Sequence, residues 1–477
     1  MDERSTRNRL PLAVDLDGTV IATDLFWEAF VRAFMSNPLV LFIMPFWLMK
    51  GRAFAKERLA ARVAIDPAKL PYRSEFLDFL RAQKAAGRTL ILATGSHRTY
   101  AEAVAAHLGL FDAVMATQGK SNLTAERKRD ALVAAYGDGG FDYAGNSKSD
   151  LAVFDAASNA VVVAPDRAAL AYQREHGSML FEGKPQTLKT VFKLLRVHQW
   201  AKNILVAVPA VLANDLMNLT TVIEVLRAFA AFSLLASAIY IINDLSDLDA
   251  DRAHKTKRNR PLAAGTVSIS SGLLITTALI AASAAISLWL PLFFQLVLGG
   301  YALLTTAYTA ALKRMLLIDV LALAGLYTIR VIAGAAATQI DVSFWLLAFS
   351  VFFFLSLALV KRYVELDATS ETGTQKITGR GYRVVDRQVL AEAGIAATFS
   401  SVLVLALYID SDQVKLLYER PYLIWLLCPI VLYLSLRIWV LARRGEMHED
   451  PVVFILSDWR SQVMVIAGAL LVAAAAL

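Results

Sequence analysis

The chain has 477 residues, 57% of them hydrophobic, and a net charge of +7. A mean hydropathy of +0.50 is too apolar for a soluble enzyme of this length, so the chain joins a soluble part to a membrane part. The basic excess reads as loops facing an anionic leaflet and not as a nucleic-acid face, and the single cysteine, Cys428, excludes a disulfide framework.

Met1 to Arg9 is charged and leads into a strand pattern, so it does not read as a signal peptide. Leu10 to Val14 is an apolar run ending in Asp15-Leu16-Asp17-Gly18-Thr19-Val20. A buried strand that ends this way sets two carboxylates at its C-terminal edge, where α/β sheets place their sites. A second run, Thr89 to Ala93, ends in Thr94-Gly95-Ser96. Lys128 lies in a basic helical stretch, and Phe141 to Ala144 ends in Gly145-Asn146-Ser147-Lys148-Ser149-Asp150. A fourth run is Ala160 to Ala164. Strands alternating with helix patterns predict a parallel doubly wound sheet.

These motifs, in this order over residues 10 to 165, resemble the haloacid dehalogenase (HAD) superfamily. The resemblance implies an N-terminal α/β HAD-like (Rossmannoid) domain. It implies Asp15 as nucleophile on a phosphoryl group, Asp17 as general acid and base, and Thr94 and Lys128 as holders of phosphoryl oxygens. Asp15, Asp17, Asn146 and Asp150 would serve Mg²⁺. Asn146 departs from the family, which usually has Asp there; an amide ligates the ion without adding charge. Residues 24–72 take the place of a cap insert. Within it, Pro38 to Met49 is too short and too Pro-bounded to span a bilayer. It reads as a hydrophobic cap core or as a surface that docks on the bilayer or the membrane domain.

The domain is set at 1–172, with a polar linker at 173–191 and a membrane domain at 192–477. Phe192 to Asn203 is a basic amphipathic lead-in. Nine spans are predicted: 204–217, 222–242, 268–289, 292–311, 317–337, 343–360, 389–409, 421–442 and 459–476. The joining segments alternate in basic content. One set carries Lys202, Lys257, Arg258, Arg260, Lys313, Lys361, Arg362, Lys376 and Arg443, among others; the other carries only Lys415 and Arg420. By the positive-inside rule the first set and the soluble domain are cytoplasmic, in a bacterial-type inner membrane, with the C-terminus outside. Asp319 and Arg330 within span five face a cavity or pair with each other.

After the second predicted span comes Asn243-Asp244-Leu245-Ser246-Asp247-Leu248-Asp249-Ala250-Asp251, then Arg252 and a basic run. On a helix, Asn243, Asp247 and Asp251 share a face with Asp244 beside them. Stacked carboxylates repel unless a cation neutralises them, and oxygen-only ligands suit Mg²⁺ shared with phosphates. Lys257, Arg258 and Arg260 are the complementary phosphate-holding groups.

This motif with nine spans resembles the UbiA superfamily of intramembrane prenyltransferases, over residues 192 to 477. The resemblance implies a C-terminal all-α polytopic domain. His198-Gln199-Trp200-Ala201-Lys202-Asn203, Tyr308 through Lys313 with Asp319, and Val360 through Leu366 are similar to its decaprenyl-phosphate phosphoribosyltransferase branch, with a weaker echo at Glu449-Asp450-Pro451. A second aspartate-rich motif is missing; Glu365, Asp367 and Glu371 stand in its place, which argues against an aromatic prenyltransferase, the alternative reading. The branch implies that Asp244, Asp247, Asp251 and Asn243 hold Mg²⁺ against the diphosphate of phosphoribosyl diphosphate. The acceptor would be a polyprenyl phosphate, bound by Lys202, Lys361 or Arg362. Asn203, Tyr308, Lys313, Arg330 and Glu365 complete the implied substrate-binding set. The HAD-like domain would then remove the 5-phosphate of the product.

Overall fold

The computed structural model describes residues 10–119, 122–185, 187–371, 380–447 and 450–476. Lys376, Glu449 and the side chain of Glu371 lie outside the described residues. The chain forms two compact units. One is Met1–Leu195 with Ile241–Ile275; the other is Arg196–Tyr240 with Thr276–Leu477.

The first unit is built on a six-stranded parallel sheet: β1 (Leu12–Val14), β2 (Leu90–His97), β3 (Ala113–Thr117), β4 (Asp142–Gly145), β5 (Ala160–Val163) and β6 (Met179–Phe181), in the order β3-β2-β1-β4-β5-β6. β1 is fully buried and pairs Leu12 with Leu90 on one side and with Asp142 on the other. A Leu-Ala-Val run with no alternation suits a strand covered on both faces. The strand order reverses beside β1, which makes the gap between β1 and β4 the switch point where such sheets bind ligands. β3 and β6 are additions to the sequence reading. β6 lies within the stretch read as a linker and pairs Val161 with Met179.

Three helices, Leu25–Ser36, Val40–Met49 and Arg52–Ala60, form most of the cap insert. Asp24 caps the first, its carboxylate accepting from the Phe26 and Trp27 amides at 2.8 and 3.3 Å. In the second, Val40, Met44 and Trp47 are buried while the rest of the face is exposed. One edge of this helix packs into the cap and the other is exposed.

Eight helices among the described residues are long and apolar enough to cross a membrane: Leu219–Ser246, Ile269–Ser287, Leu292–Ala310, Ile318–Thr338, Phe344–Ala368, Val384–Ile409, Pro421–Arg443 and Trp459–Ala476. They match the second to ninth predicted spans. Over the first, 204–217, the chain is not one long helix: a 3₁₀ stretch, Val197–Ala207, is followed by a five-residue helix, Val208–Leu212. Pro209 at the start of that helix removes a backbone donor, and an α-helix is not continued through it.

In the second unit Ile318–Thr338 is the most buried of the eight helices. Its Gly334 lies so near Val206 that a Cβ would overlap the Val206 carbonyl. Small residues let membrane helices approach in this way. Buried hydroxyls add polar ties: Ser356 meets Thr398 at 2.8 Å and accepts from the Trp439 indole at 3.0 Å.

Candidate functional site

Three polar centres gather most of the candidate residues. The first sits at the switch point of the sheet. Asp15 follows β1 directly, and Lys128 reaches it at 2.8 Å from the helix Glu126–Tyr136. The same ammonium donates to Tyr143 Oη at 2.8 Å and to Asp150 Oδ1 at 3.2 Å. Asp150 is fully engaged. Its Oδ1 also accepts from Tyr143 Oη at 2.7 Å, and its Oδ2 accepts from the Asn146 and Ser147 amides and the Ser147 hydroxyl. Asp17 accepts from Ser96 Oγ at 2.6 Å and from the Leu25 amide at 2.9 Å. Thr94 is fully buried, and its hydroxyl accepts from the Ser96 amide at 3.0 Å.

Gly18, at φ +77°, follows Asp17; any Cβ there would run into the Asn146 carboxamide. That close approach brings Asn146 to the loop carrying both acids. The HAD residues named from sequence thus gather on neighbouring strand ends. Tyr143 and Ser96 join them without having been singled out, and so does Lys56 of the cap. Its ammonium donates to Gly95 O at 2.5 Å and to Asn122 Oδ1 at 2.9 Å.

Burial pushes the Asp15 carboxyl up to about 7 against the pull of Lys128, with Asp150 and Asp17 adding to the rise. Burial likewise pushes Asp17 up to about 6, with Asp24 adding to it. Burial would raise Asp150 too, but Lys128, Tyr143, the Asn146 amide and the Ser147 hydroxyl hold it below the ordinary range. Two carboxylates are therefore under-neutralised and a third is fully satisfied.

The second centre is the acidic motif. Leu219–Ser246 ends just before Asp247, which has φ −100° and ψ 14°, and a short helix, Leu248–Ala253, resumes after it. Main-chain bonds bridge the break: the Asp247 amide donates to Asn243 O at 3.0 Å and the Asp251 amide to Asp247 O at 2.8 Å. Asp244 and Asp251 are 3% and 2% exposed, whereas Asp247 is exposed. Arg260 takes a role that sequence assigned to a metal. Its Nη1 lies 3.0 Å from Asp244 Oδ1 and 2.7 Å from Asp251 Oδ2. Lys257 and Arg258 stay exposed in a single 3₁₀ turn.

The motif is also docked onto the cap within this unit. Arg252 Nη2 lies 2.5 Å from Glu28 Oε1, and Arg32 Nη2 lies 2.6 Å from Asp249 Oδ1. Glu28 is fully buried; burial would raise its carboxyl, but Arg252 outweighs that and holds it below the ordinary range. This contact was not legible in sequence.

The third centre lies in the second unit. Asp450 Oδ2 accepts from Lys202 at 2.7 Å and from Lys361 at 3.1 Å, and Tyr327 donates to Asp450 Oδ1 at 2.9 Å. Lys202 also sits over the Tyr327 ring, 5.7 Å from its centroid. Beside it, Arg330 Nε donates to Asn203 Oδ1 at 2.8 Å, and Asn203 donates to Ser233 Oγ at 3.0 Å. Arg330 thus pairs with Asn203 and not with Asp319.

Asp319 anchors a separate network. Arg362 Nε lies 2.9 Å away, and Tyr382 also bonds it. Arg380 Nε bonds Glu365 at 3.1 Å and Arg380 Nη1 bonds Tyr308 Oη at 3.2 Å. Arg362, one of the three phosphate-holders offered by the sequence, is fully buried with its guanidinium on Asp319 and Glu365. Lys313 is half-buried in the one-turn segment Leu312–Arg314. Asp450, which the sequence offered only as a weaker echo of the branch and without a site role, is the pivot, and its side chain also caps Pro451–Ser457.

Among the described residues, no three His, Cys, Asp or Glu side chains already close on a metal position. The donors nevertheless fit a hard divalent ion. They are oxygen-only at both carboxylate centres, Asp15 and Asp17 lack full compensation, and Asp244 and Asp251 already share one cationic group.

Residues 204–459 match the UbiA prenyltransferase family model, and residues 12–155 match the haloacid dehalogenase-like hydrolase model. The uncharacterized protein y4nM of Sinorhizobium fredii is 39% identical over 94% of this chain and 88% of its own length. Decaprenyl-phosphate phosphoribosyltransferase of Mycolicibacterium smegmatis is 38% identical over 40% of this chain and 62% of its own. Among solved structures, a UbiA homolog from Archaeoglobus fulgidus bound to DMAPP and Mg²⁺ aligns with a TM-score of 0.46 at 17% identity. The alignment covers 59% of this chain and 96% of that one.

Proposed function

The chain belongs to the UbiA prenyltransferase family and carries a HAD-like domain ahead of its multi-pass membrane domain, and on that premise we propose a two-step lipid-modifying enzyme. The first step transfers 5-phosphoribosyl from phosphoribosyl diphosphate to a polyprenyl phosphate. The second hydrolyses the 5-phosphate of the product. The relatives named as phosphoribosyltransferases support the donor and acceptor.

One observation carries the reading: two buried carboxylates, Asp244 and Asp251, drawn onto one guanidinium at the end of a membrane helix. With Asp247 and Asn243 they would hold Mg²⁺, whose charge would offset that of the departing diphosphate. Arg260 would then be free to bind a phosphate oxygen, with Lys257 and Arg258 near it in sequence. An oxygen of the polyprenyl phosphate bonds to the ribose anomeric carbon as the bond to the diphosphate breaks. The acceptor is already an anion, so no general base is needed. Lys202 and Lys361, held on Asp450, supply charge for an anionic headgroup.

In the soluble site, a carboxylate oxygen of Asp15 attacks phosphorus and the ribose 5-oxygen leaves with a proton from Asp17. Asp17 then takes a proton from the water that cleaves the acyl phosphate. Lys128 neutralises charge on the phosphoryl oxygens, and Asp15, Asp17 and Asn146 would hold Mg²⁺ with Asp150 in support.

The basic loops support a cytoplasmic soluble domain. That orientation needs a crossing before Leu219–Ser246. The stretch Val197–Leu212 has the reach for it: 3₁₀ and α rises of about 2.0 and 1.5 Å per residue give roughly 30 Å, the thickness of the hydrocarbon core. With this ninth crossing the C-terminus is outside.

The test is a donor assay in membranes containing the chain. Labelled phosphoribosyl diphosphate should be incorporated into lipid with Mg²⁺, and incorporation should vanish in Asp247→Asn. Incorporation only from labelled prenyl diphosphate into an aromatic acceptor would replace the reading with ordinary prenyl transfer.

A further inference from the structure

The cap helix Val40–Met49 is ten apolar residues in a row. Only three are buried; Phe42, Phe46 and Met49 are 69%, 66% and 83% exposed, with Leu41 and Leu48 beside them. A contiguous apolar surface of this kind marks an interaction site.

Two observations say what covers it. The first is position. The preceding helix, Leu25–Ser36, meets the last residue of the membrane helix Leu219–Ser246, where Ser246 Oγ donates to Met35 Sδ at 3.0 Å. Ser246 lies three residues past Asn243, where the apolar run gives way to charge. Leu39 is four residues from Met35, so at most about 14 Å of chain separates them. The apolar helix therefore begins near the level at which that span leaves hydrocarbon. The second is charge. From Asn37 to Arg62 the one acidic residue is Glu57, against Lys50, Arg52, Lys56, Arg58 and Arg62, and Lys50, Arg52, Arg58 and Arg62 are exposed along its base. Two of them cover aromatic rings: Arg62 lies 4.7 Å from the Trp47 centroid and Arg58 4.9 Å from that of Phe54.

We propose that Val40–Met49 is an interfacial anchor seated in an anionic phospholipid leaflet. It lies in the leaflet and does not cross it. Ten residues reach about 15 Å, half the hydrocarbon thickness of roughly 30 Å. Pro45 within the helix deprives a carbonyl one turn back of its donor, a group that the hydrated interface satisfies and the hydrocarbon centre does not. The apolar face takes acyl chains and the basic base takes lipid phosphates.

The test uses the full chain in nanodiscs with Cys428→Ser and bimane at Phe42→Cys, Phe46→Cys or, as a control, Asp138→Cys, an exposed turn before β4. Lipids carry a doxyl quencher near the headgroup. Quenching is expected at 42 and 46 and not at 138, and it should weaken when phosphatidylglycerol is replaced by phosphatidylcholine. Equal quenching at all three positions would overturn the anchor, and equal quenching in both lipids would remove its anionic preference. Disulfide-linked dimers through Phe42→Cys without quenching would assign the face to a second copy of the chain. As a second variant, Phe42→Ser/Phe46→Ser should abolish quenching of a label at Leu39→Cys while circular dichroism is unchanged; retained quenching there would also overturn the proposal.

Discussion

The two carboxylate centres of the first unit are built on opposite plans. At the strand ends, Asp150 uses both its oxygens on fixed donors, and Lys128 is clamped between Asp15, Tyr143 and Asp150. At the membrane-helix end, Asp247 is exposed and its neighbours are held by one long side chain from a loop, Arg260. The first arrangement is pre-organised by short, buried contacts. The second is held by one partly exposed guanidinium, exchangeable for a metal under the proposed function. Preorganised polar groups gain most where charge develops during reaction, whereas an exchangeable cation suits a site that must admit and release a bulky polyanion.

The sharpest way to break this contrast is Asp15→Asn. Phosphate release should fall by roughly 10²-fold or more, with the folded state intact and ribosyl transfer unchanged, so that the 5-phosphorylated lipid accumulates. Free-phosphate and lipid-product assays on one sample check it. Next in size, Glu28→Gln leaves Arg252 buried without its charge partner, and a loss of about 3–5 kcal/mol is expected from unfolding of the first unit. The pH dependence has a definite sign. Glu28 titrates below the ordinary glutamate value of about 4.3, so the pair's contribution is full above that value and fades as pH falls through the lowered one. The stability gap between native chain and variant should therefore narrow in acid.

A middle-sized test targets the exchangeable cation. Arg260→Gln should lower the Mg²⁺ concentration needed for half-maximal transfer, because the metal no longer competes with a guanidinium. The maximal rate should fall by about tenfold or more through lost phosphate contact. An unchanged metal requirement would remove Arg260 from the metal's position. In the second unit, Gly394→Ala forces a methyl into the Trp439 ring and should cost about 1–3 kcal/mol by thermal unfolding in detergent. Smallest of all, Arg81→Ala breaks an exposed pair with Asp78 and should change stability by less than about 1 kcal/mol.

How far the sequence reveals these features depends on how local their causes are. The acids after β1, the Thr94 turn, Lys128 and the segment ending in Asp150 are each tied to a strand or helix end, and all converge. β3 and β6 escape notice because short, partly exposed strands lack a clear apolar run. Tyr143 lies inside β4, where alternation says nothing about which hydroxyl meets a lysine. Glu28 and Arg252 are 224 residues apart, beyond any periodicity. Eight long helices announce themselves by hydropathy, while Val197–Leu212 is equally apolar in places but wound differently, and composition does not distinguish a 3₁₀ from an α turn.

The helix Leu25–Ser36 is pinned at three levels. Its first amide holds Asp17, Glu28 at the end of its first turn holds Arg252, and its last turn touches Ser246. A rod fixed so often cannot swing as a lid. Any widening of the space above Asp15 and Asp17 would fall to the rest of the insert, where the Lys56 ammonium holds the Gly95 carbonyl.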